Sequence, residues 1–414
     1  MIRTRTDLHR WSAANAHGRH MHEAVDLLRQ AADAADPAWL LPVVEKAIAS
    51  AVRVILRADD SSGIIGDAIR GLLELHAQVA RNASPAASKL VPWLIRFQFD
   101  GTQDFFSIDI ADYAPALGPD GLALYKARLA EIAAGLGPEP TDEQERSSLA
   151  GRLTEPEAHQ QATRDRHTRF VLEENARRLA VTARDVDAII ATHVRDRKVA
   201  AWLQDTAEAL AEIGEADLAI DWAKQAADFD GGHQALQAAG YWCDLLALHR
   251  PDHEAAARLE VFRRWPSSST AERLRRASGQ AWPVHRDEVL DTLAHSPRDA
   301  VAFAQHHLGD VNLAWTLAHN LGLTDTHTWA QLADAYEKVD PLGVLPVLRE
   351  LVLVDLRDAD ARGYRHAARR LGRMRRLAAG TDQASGVDEL IAALRDEHRR
   401  RPRLQREFDT AGLP

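Results

Sequence analysis

Residues 202 to 229 read WLQDTAEALAEIGEADLAIDWAKQAADF, and this stretch limits the possible folds more than any other. Leu203, Ala207, Leu210 and Ile213 recur at helical spacing, Gly214 stops the run, and Leu218, Trp222, Ala226 and Phe229 begin a second stripe. Two helices joined by a glycine turn have to bury those stripes against each other. Ala219 and Ala223 line the second helix and predict a close seam, because a bulky side chain there would hold the backbones apart at a cost of about 1 to 3 kcal/mol.

The unit recurs imperfectly. Ala255 stands five residues after the turn residue Arg250, as Ala219 stands five after Gly214, and Arg250 lies 36 positions beyond Gly214. Gly309 is followed five residues on by Ala314 and then Trp315, and LADAYEKVDPLGVLPVLRELVLVDL makes a fourth pass with Pro341 and Gly343 in its turn. This spacing resembles the tetratricopeptide repeat, a helix-turn-helix unit of about 34 residues whose neighbours must stack to stay dry. Good helix formers dominate the 414 residues, so the expected fold is all-α: an α-solenoid of tetratricopeptide-like hairpins with an N-terminal helical subdomain.

Residues 20 to 82 read as three helices, broken at Asp36-Pro37 and at the DDSSG run, where Asp59 and Asp60 are placed to cap the next helix. Short helices with turns at Gly101 and Gly118-Pro119 follow, and GLGPEPTDEQE has the composition of an exposed connection. The division this predicts is a subdomain over 1–134, a linker or connecting helix over 135–165, repeats over 166–380, and a capping helix and tail over 381–414.

Motifs for chemistry are sparse. The net charge of −10 opposes a surface that embraces phosphate throughout. One cysteine, Cys243, rules out an internal disulfide and a multi-cysteine zinc site, and its apolar neighbours mark it as inert packing. His9, His17, His20 and His22 cluster in sequence, but Gly18 interrupts them and residues two apart face different sides of a helix, so they read as a polar helix start. His306 and His307 precede Gly309 at a helix end, where carbonyl dipoles favour imidazolium. No phosphate loop or nucleophile elbow is present. The expectation is a non-enzyme without cofactor or metal. With no signal-like or membrane-spanning apolar run, it is placed in the cytoplasm.

The basic C-terminal end carries the one candidate contact. Arg362, Arg365, Arg369, Arg373 and Arg376 recur at three- and four-residue steps on one helical face, and residues 361–406 hold 13 arginines against five acids. The favoured reading has these arginines capping the stack and pairing with acidic neighbours; the alternative has them gripping phosphate or an acidic partner. No aromatic residues interleave with them as single-strand binding requires.

From about His20 to Pro414 the chain resembles the long helical C-terminal region of bacterial SWIM zinc-finger proteins, common in actinobacteria. The resemblance rests on DDSSGIIGDAIRGLLELHAQVAR, LAEIGEADLAIDWAKQAADF, HHLGDVNLAWTLAHNLGL and the ending LRDEHRRRPRLQREFDTAGLP. The finger needs three cysteines and a histidine, so no zinc ligand carries over. The resemblance therefore implies interaction: a scaffold for a protein partner on the concave face of repeats between about 165 and 380. The alternative is a nucleic-acid accessory protein using the five arginines.

Overall fold

The computed structural model describes residues 2–4, 7–99, 106–137, 156–195, 198–357 and 360–414. Helix caps set the element boundaries. The Asp36 carboxylate accepts from the Ala38 amide with Pro37 as first helical residue, and the Asp60 carboxylate accepts from the amides of Ile65 and Gly66 at 2.9 Å each. The first three helices are α1 (Trp11–Ala34), α2 (Pro37–Ile55) and α3 (Ile64–Ala83). The first starts nine residues before the expected His20. Gly18 does not break it, because the missing side chain lets Ile64 approach: a Cβ there would stand 2.4 Å from Ile64 Cγ2.

Then come α4 (Ala87–Phe99) and α5 (Ile110–Ala134), the latter kinked at Gly118 as the Gly-Pro pair predicts. The expected turn at Gly101 and most of the 135–145 connection lie outside the described residues. The chain continues through α6 (Pro156–Ala183), α7 (Val186–His193), α8 (Ala200–Glu212) and α9 (Ala216–Asp228). Helix α3 lies at the centre, packed by α1, α2 and α5, and buries Ile65, Ile69 and Leu72.

The chain forms two compact units, Met1–Ala226 and Ala227–Pro414. Helix α6 rejoins the N-terminal core: the Tyr125 hydroxyl donates to Asn175 Oδ1 at 2.5 Å, and Asn175 Nδ2 donates to Gln98 Oε1 at 2.9 Å. Arg178 ties Asp109 to Glu212 at 2.8 and 2.7 Å. These links join residues too distant in sequence for local pattern to reveal.

The second unit runs from Ala227 to Pro414. Its helices are α10 (His233–His249), α11 (Pro251–Arg264), α12 (Ser268–Ser278), α13 (Trp282–Leu293) and α14 (Pro297–Ala302), which passes into a π-helical turn over Phe303–His307. There follow α15 (Val311–Asn320), α16 (Thr326–Tyr336), α17 (Leu345–Arg357), α18 (Ala361–Ala378), α19 (Ala384–Glu397) and α20 (Pro402–Thr410). Each packs mainly on its chain neighbours, the arrangement of an α-solenoid. The chain is all-α; among the described residues the only β feature is an isolated bridge between Leu8 and Ala58.

Gly214 ends α8 in the left-handed conformation, φ +87°, with the Glu215 amide donating to Leu210 O at 2.9 Å and the Gly214 amide to Ala211 O at 3.0 Å. Ala219, Trp222, Ala223 and Ala314 are buried as the seam predicts. Other seam residues differ. Leu218 and Phe229 are exposed, and Ile220 and Ala227 are buried in their place. Ala255 is only half-buried and Ala257 takes its role, because Pro251 starts its helix directly after Arg250 without a left-handed glycine, which shifts the phase. Trp315 is half-buried, stacked on Tyr336 at 4.1 Å.

Candidate functional site

Helix α18 is built from a small-residue face and an arginine face. The Asp360 carboxylate caps it by accepting from the Gly363 amide at 2.6 Å. Gly363 must be small, since a Cβ there would stand 2.3 Å from the Asp355 carbonyl oxygen at the end of α17. Tyr364, Ala367, Ala368, Leu371, Met374 and Ala378 point into the core. The seven arginines of this helix then fall into two groups.

Arg370, Arg373 and Arg375 hold neighbouring elements. Arg370 donates to the Leu351 carbonyl at 3.2 Å and pairs with Asp355, Arg373 pairs with Asp334 and Glu337 of α16 and its end, and Arg375 reaches Asp388 at 3.0 Å and the Gly412 carbonyl at 3.2 Å. Arg362, Arg365, Arg369 and Arg376 are exposed, and none pairs with a carboxylate among the described residues. The guanidinium Nε atoms of Arg365 and Arg369 donate only to backbone carbonyls one turn back, at 3.2 and 3.3 Å. Of the five arginines that the sequence places on one face, four share the outward surface. Arg373 is the correction: it is drawn in by the two acids of α16, a pairing that α18's own periodicity could not reveal.

A cleft of about 300 Å³ lies where α16, α17 and α18 meet. Ala330, Leu348 and Leu351 form its floor, Asp334 one edge, and His366, Arg369, Arg370 and Arg373 the other. Burial holds the His366 imidazole below its ordinary pKa, partly opposed by Asp355 and reinforced by Arg369. Burial raises the Asp355 carboxyl against the pull of Arg370. No hydrogen-bond partner meets His366 among the described residues. Sequence reasoning missed His366, although it stands four residues from both Arg362 and Arg370 on the same helical face.

The arginine-rich ending serves structure in part. Arg395 donates to the Pro414 carbonyl at 2.5 Å, to Gln405 at 3.0 Å, to Asp409 at 2.7 Å and to the Leu413 carbonyl at 2.9 Å, and lies over the Phe408 ring. Arg401 donates to the Leu356 carbonyl at 2.9 Å, closing the last turn of α17. Leu404, Phe408 and Leu413 are buried beneath these bonds.

The remaining singled-out residues are held by separate partners. His17 Nε2 meets the Ile2 carbonyl at 2.9 Å and His22 Nε2 the Ile64 carbonyl at 3.0 Å, while His9 and His20 are exposed. His307 lies 3.8 Å from the buried Glu272 carboxylate, which also receives Arg275 and Arg276. Cys243 is buried, and burial pushes its thiol up to about 12, so it stays protonated. Among the described residues no group of three or more histidine, cysteine, aspartate or glutamate side chains is placed to hold a metal, and no helix is long and apolar enough to cross a membrane.

Comparison with known proteins gives a family without an assigned activity. No curated protein matches the chain. Three solved chains match; one is described as "Circular tandem repeat protein with novel repeat topology and enhanced subunit contact surfaces", with 15% identity, 97% of this chain and 88% of that chain covered, and a TM-score of 0.17. The family described as "Family of unknown function (DUF6880)" matches residues 2–308, which end before the cleft and the arginine face begin. With three quarters of its length inside that match, the chain belongs to the DUF6880 family.

Proposed function

We propose that the chain is a non-catalytic helical-repeat scaffold that binds a protein partner on the surface of its stacked helices. The observation that carries this reading is the outward face of α18, where four exposed arginines find no carboxylate among the described residues while three on the same helix are engaged in holding the stack together. Cations left unpaired on an acidic chain are available to something outside it. Stacked helix pairs supply a broad rigid surface, which suits a macromolecule better than a small substrate. The likeness of the ending to bacterial SWIM zinc-finger proteins belongs to the same proposal, with this chain working beside a finger-bearing protein.

The same arginines would serve a nucleic-acid accessory protein, and one experiment separates the two. Tagged full-length chain is purified from its native cell with and without nuclease, beside a variant carrying Arg362→Glu, Arg365→Glu, Arg369→Glu and Arg376→Glu. A defined protein that survives nuclease supports the scaffold. Association that vanishes with nuclease, or a mobility shift of plain duplex at near-physiological salt that the variant abolishes, replaces it with the nucleic-acid reading.

A further inference from the structure

We infer that the cleft between α16, α17 and α18 receives acidic side chains from an extended or helical segment of the partner protein, with Arg369 and His366 as its unclaimed donors. This rests on the scaffold reading above and names the chemistry of what the scaffold holds. Among the described residues Arg369 uses only its Nε, toward the Arg365 carbonyl, and its two terminal nitrogens meet no partner. His366 contributes ring nitrogens with no partner among the described residues. Arg370 and Arg373 are held in place by Asp355, Asp334, Glu337 and the Leu351 carbonyl, and so stand pre-organised at the same wall. A carboxylate matches this arrangement, because its two oxygens accept from a planar guanidinium fork.

The occupant is a protein segment rather than a nucleic acid for reasons of charge and surface. Asp334 sits on the edge of the cleft, and Glu337 and Asp355 stand directly behind its arginines. A phosphodiester chain carries a charge at every step and would meet these fixed carboxylates, whereas a peptide can place its acids opposite Arg369, Arg365 and Arg362 and leave the other positions neutral. Bases also need an exposed aromatic to stack on, and the one aromatic residue of α18, Tyr364, is buried. The apolar floor of Leu348, Leu351 and Ala330 suits aliphatic residues between the acids.

The test is fluorescence anisotropy on the full chain at low ionic strength, with a short fluorescein-labelled peptide of glutamate and leucine. A peptide with lysine for every glutamate and an oligonucleotide of matching length serve as controls. The glutamate peptide should bind, weaken with salt, and lose at least about tenfold in affinity in Arg369→Glu and in Arg362→Glu/Arg365→Glu. Arg369→Lys, which keeps the charge and loses the fork, should fall between wild type and Arg369→Glu. Arg376→Glu, on the same helix beyond the cleft, should change affinity by less than about twofold. Equal losses from Arg369→Glu and Arg376→Glu would reduce the effect to a general field and overturn the cleft. So would tighter binding of the oligonucleotide, or no peptide binding. Partner capture that persists in the arginine variants while the peptide fails to bind would leave the scaffold standing and remove the cleft alone. Thermal midpoints by circular dichroism that are no lower than wild type show that these exposed substitutions leave the fold intact.

Discussion

Replacing Phe408 by alanine tests whether the arginine-rich ending is a docked structural element. Phe408 is fully buried in α20, in one core cluster with Leu371 and Met374 of α18 and Ile391 and Leu394 of α19. Truncation of a buried phenylalanine removes its transfer free energy and leaves a cavity, together costing about 3 to 5 kcal/mol. For a unit of this size each kcal/mol lowers the melting temperature by about 2 to 4 °C, so the midpoint should fall by about 6 to 20 °C. The polar contact above it should count for much less. Asp409 is 67% exposed in its pair with Arg395, which places Asp409→Asn at about 0.2 to 1 kcal/mol. Urea unfolding of both variants, followed by circular dichroism, gives the comparison. A Phe408→Ala unfolding free energy within about 1 kcal/mol of wild type would refute the docked tail. Asp409→Asn costing as much as Phe408→Ala would show that charge, not the ring, holds it.

Acidification should destabilise the first unit through His76, which is fully buried with Nδ1 3.0 Å from the Tyr113 hydroxyl and a ring stacked on Trp93 at 3.8 Å. Burial lowers its pKa more than Glu45 raises it, so the folded state favours the neutral ring; its contribution is complete above the unfolded value near 6.5 and is lost as pH falls below it. Denaturant midpoints measured across that range should slope less in His76→Gln, and identical slopes would contradict this; some slope will persist because burial also lowers His17 and His193. Gly214→Ala should cost about 1 kcal/mol by calorimetry, because an added Cβ meets nothing closer than Arg184 at 3.8 Å and the loss is backbone strain alone. Arg362→Glu should stabilise the fold by about 0.3 to 1 kcal/mol, raising the thermal midpoint slightly, while weakening binding of the acidic peptide; a lower midpoint would refute a dipole cost at this position.

The hairpin over residues 200–228 was legible because its signals are local: a glycine that must turn left-handed, apolar spacing on either side, and alanines five and nine residues on. The phase of the second stripe was less so. Leu218 and Phe229 fit helical spacing as well as Ile220 and Ala227 do, and only the packing partner decides between them. The long-range ties of the first unit were hidden for a different reason. The Gln98, Tyr125 and Asn175 network joins residues 27 to 77 apart, and a composition break near 140 says nothing about where the chain returns. The candidate site shows the same limit: periodicity placed the arginines on α18, but Arg373 is claimed by Asp334 and Glu337 from 39 and 36 residues upstream.

Helix α18 carries a conflict that packing does not explain. Its first turn contains no acid and bears Arg362, with Arg365 following, at the end where the helix dipole favours negative charge. Asp360 offsets part of this as the cap, yet a sequence shaped only for stability would place glutamate at these exposed positions. The last turn, with Arg375 and Arg376, obeys the rule. Core contacts cannot require the exception, since the side chains of Arg362 and Arg365 point to solvent. Departures from local consistency concentrate where a surface serves something beyond its own fold. An acidic segment laid along this face would supply the missing negative charge at the helix start and relieve the conflict on binding, so the same two arginines that weaken the free helix would strengthen the complex.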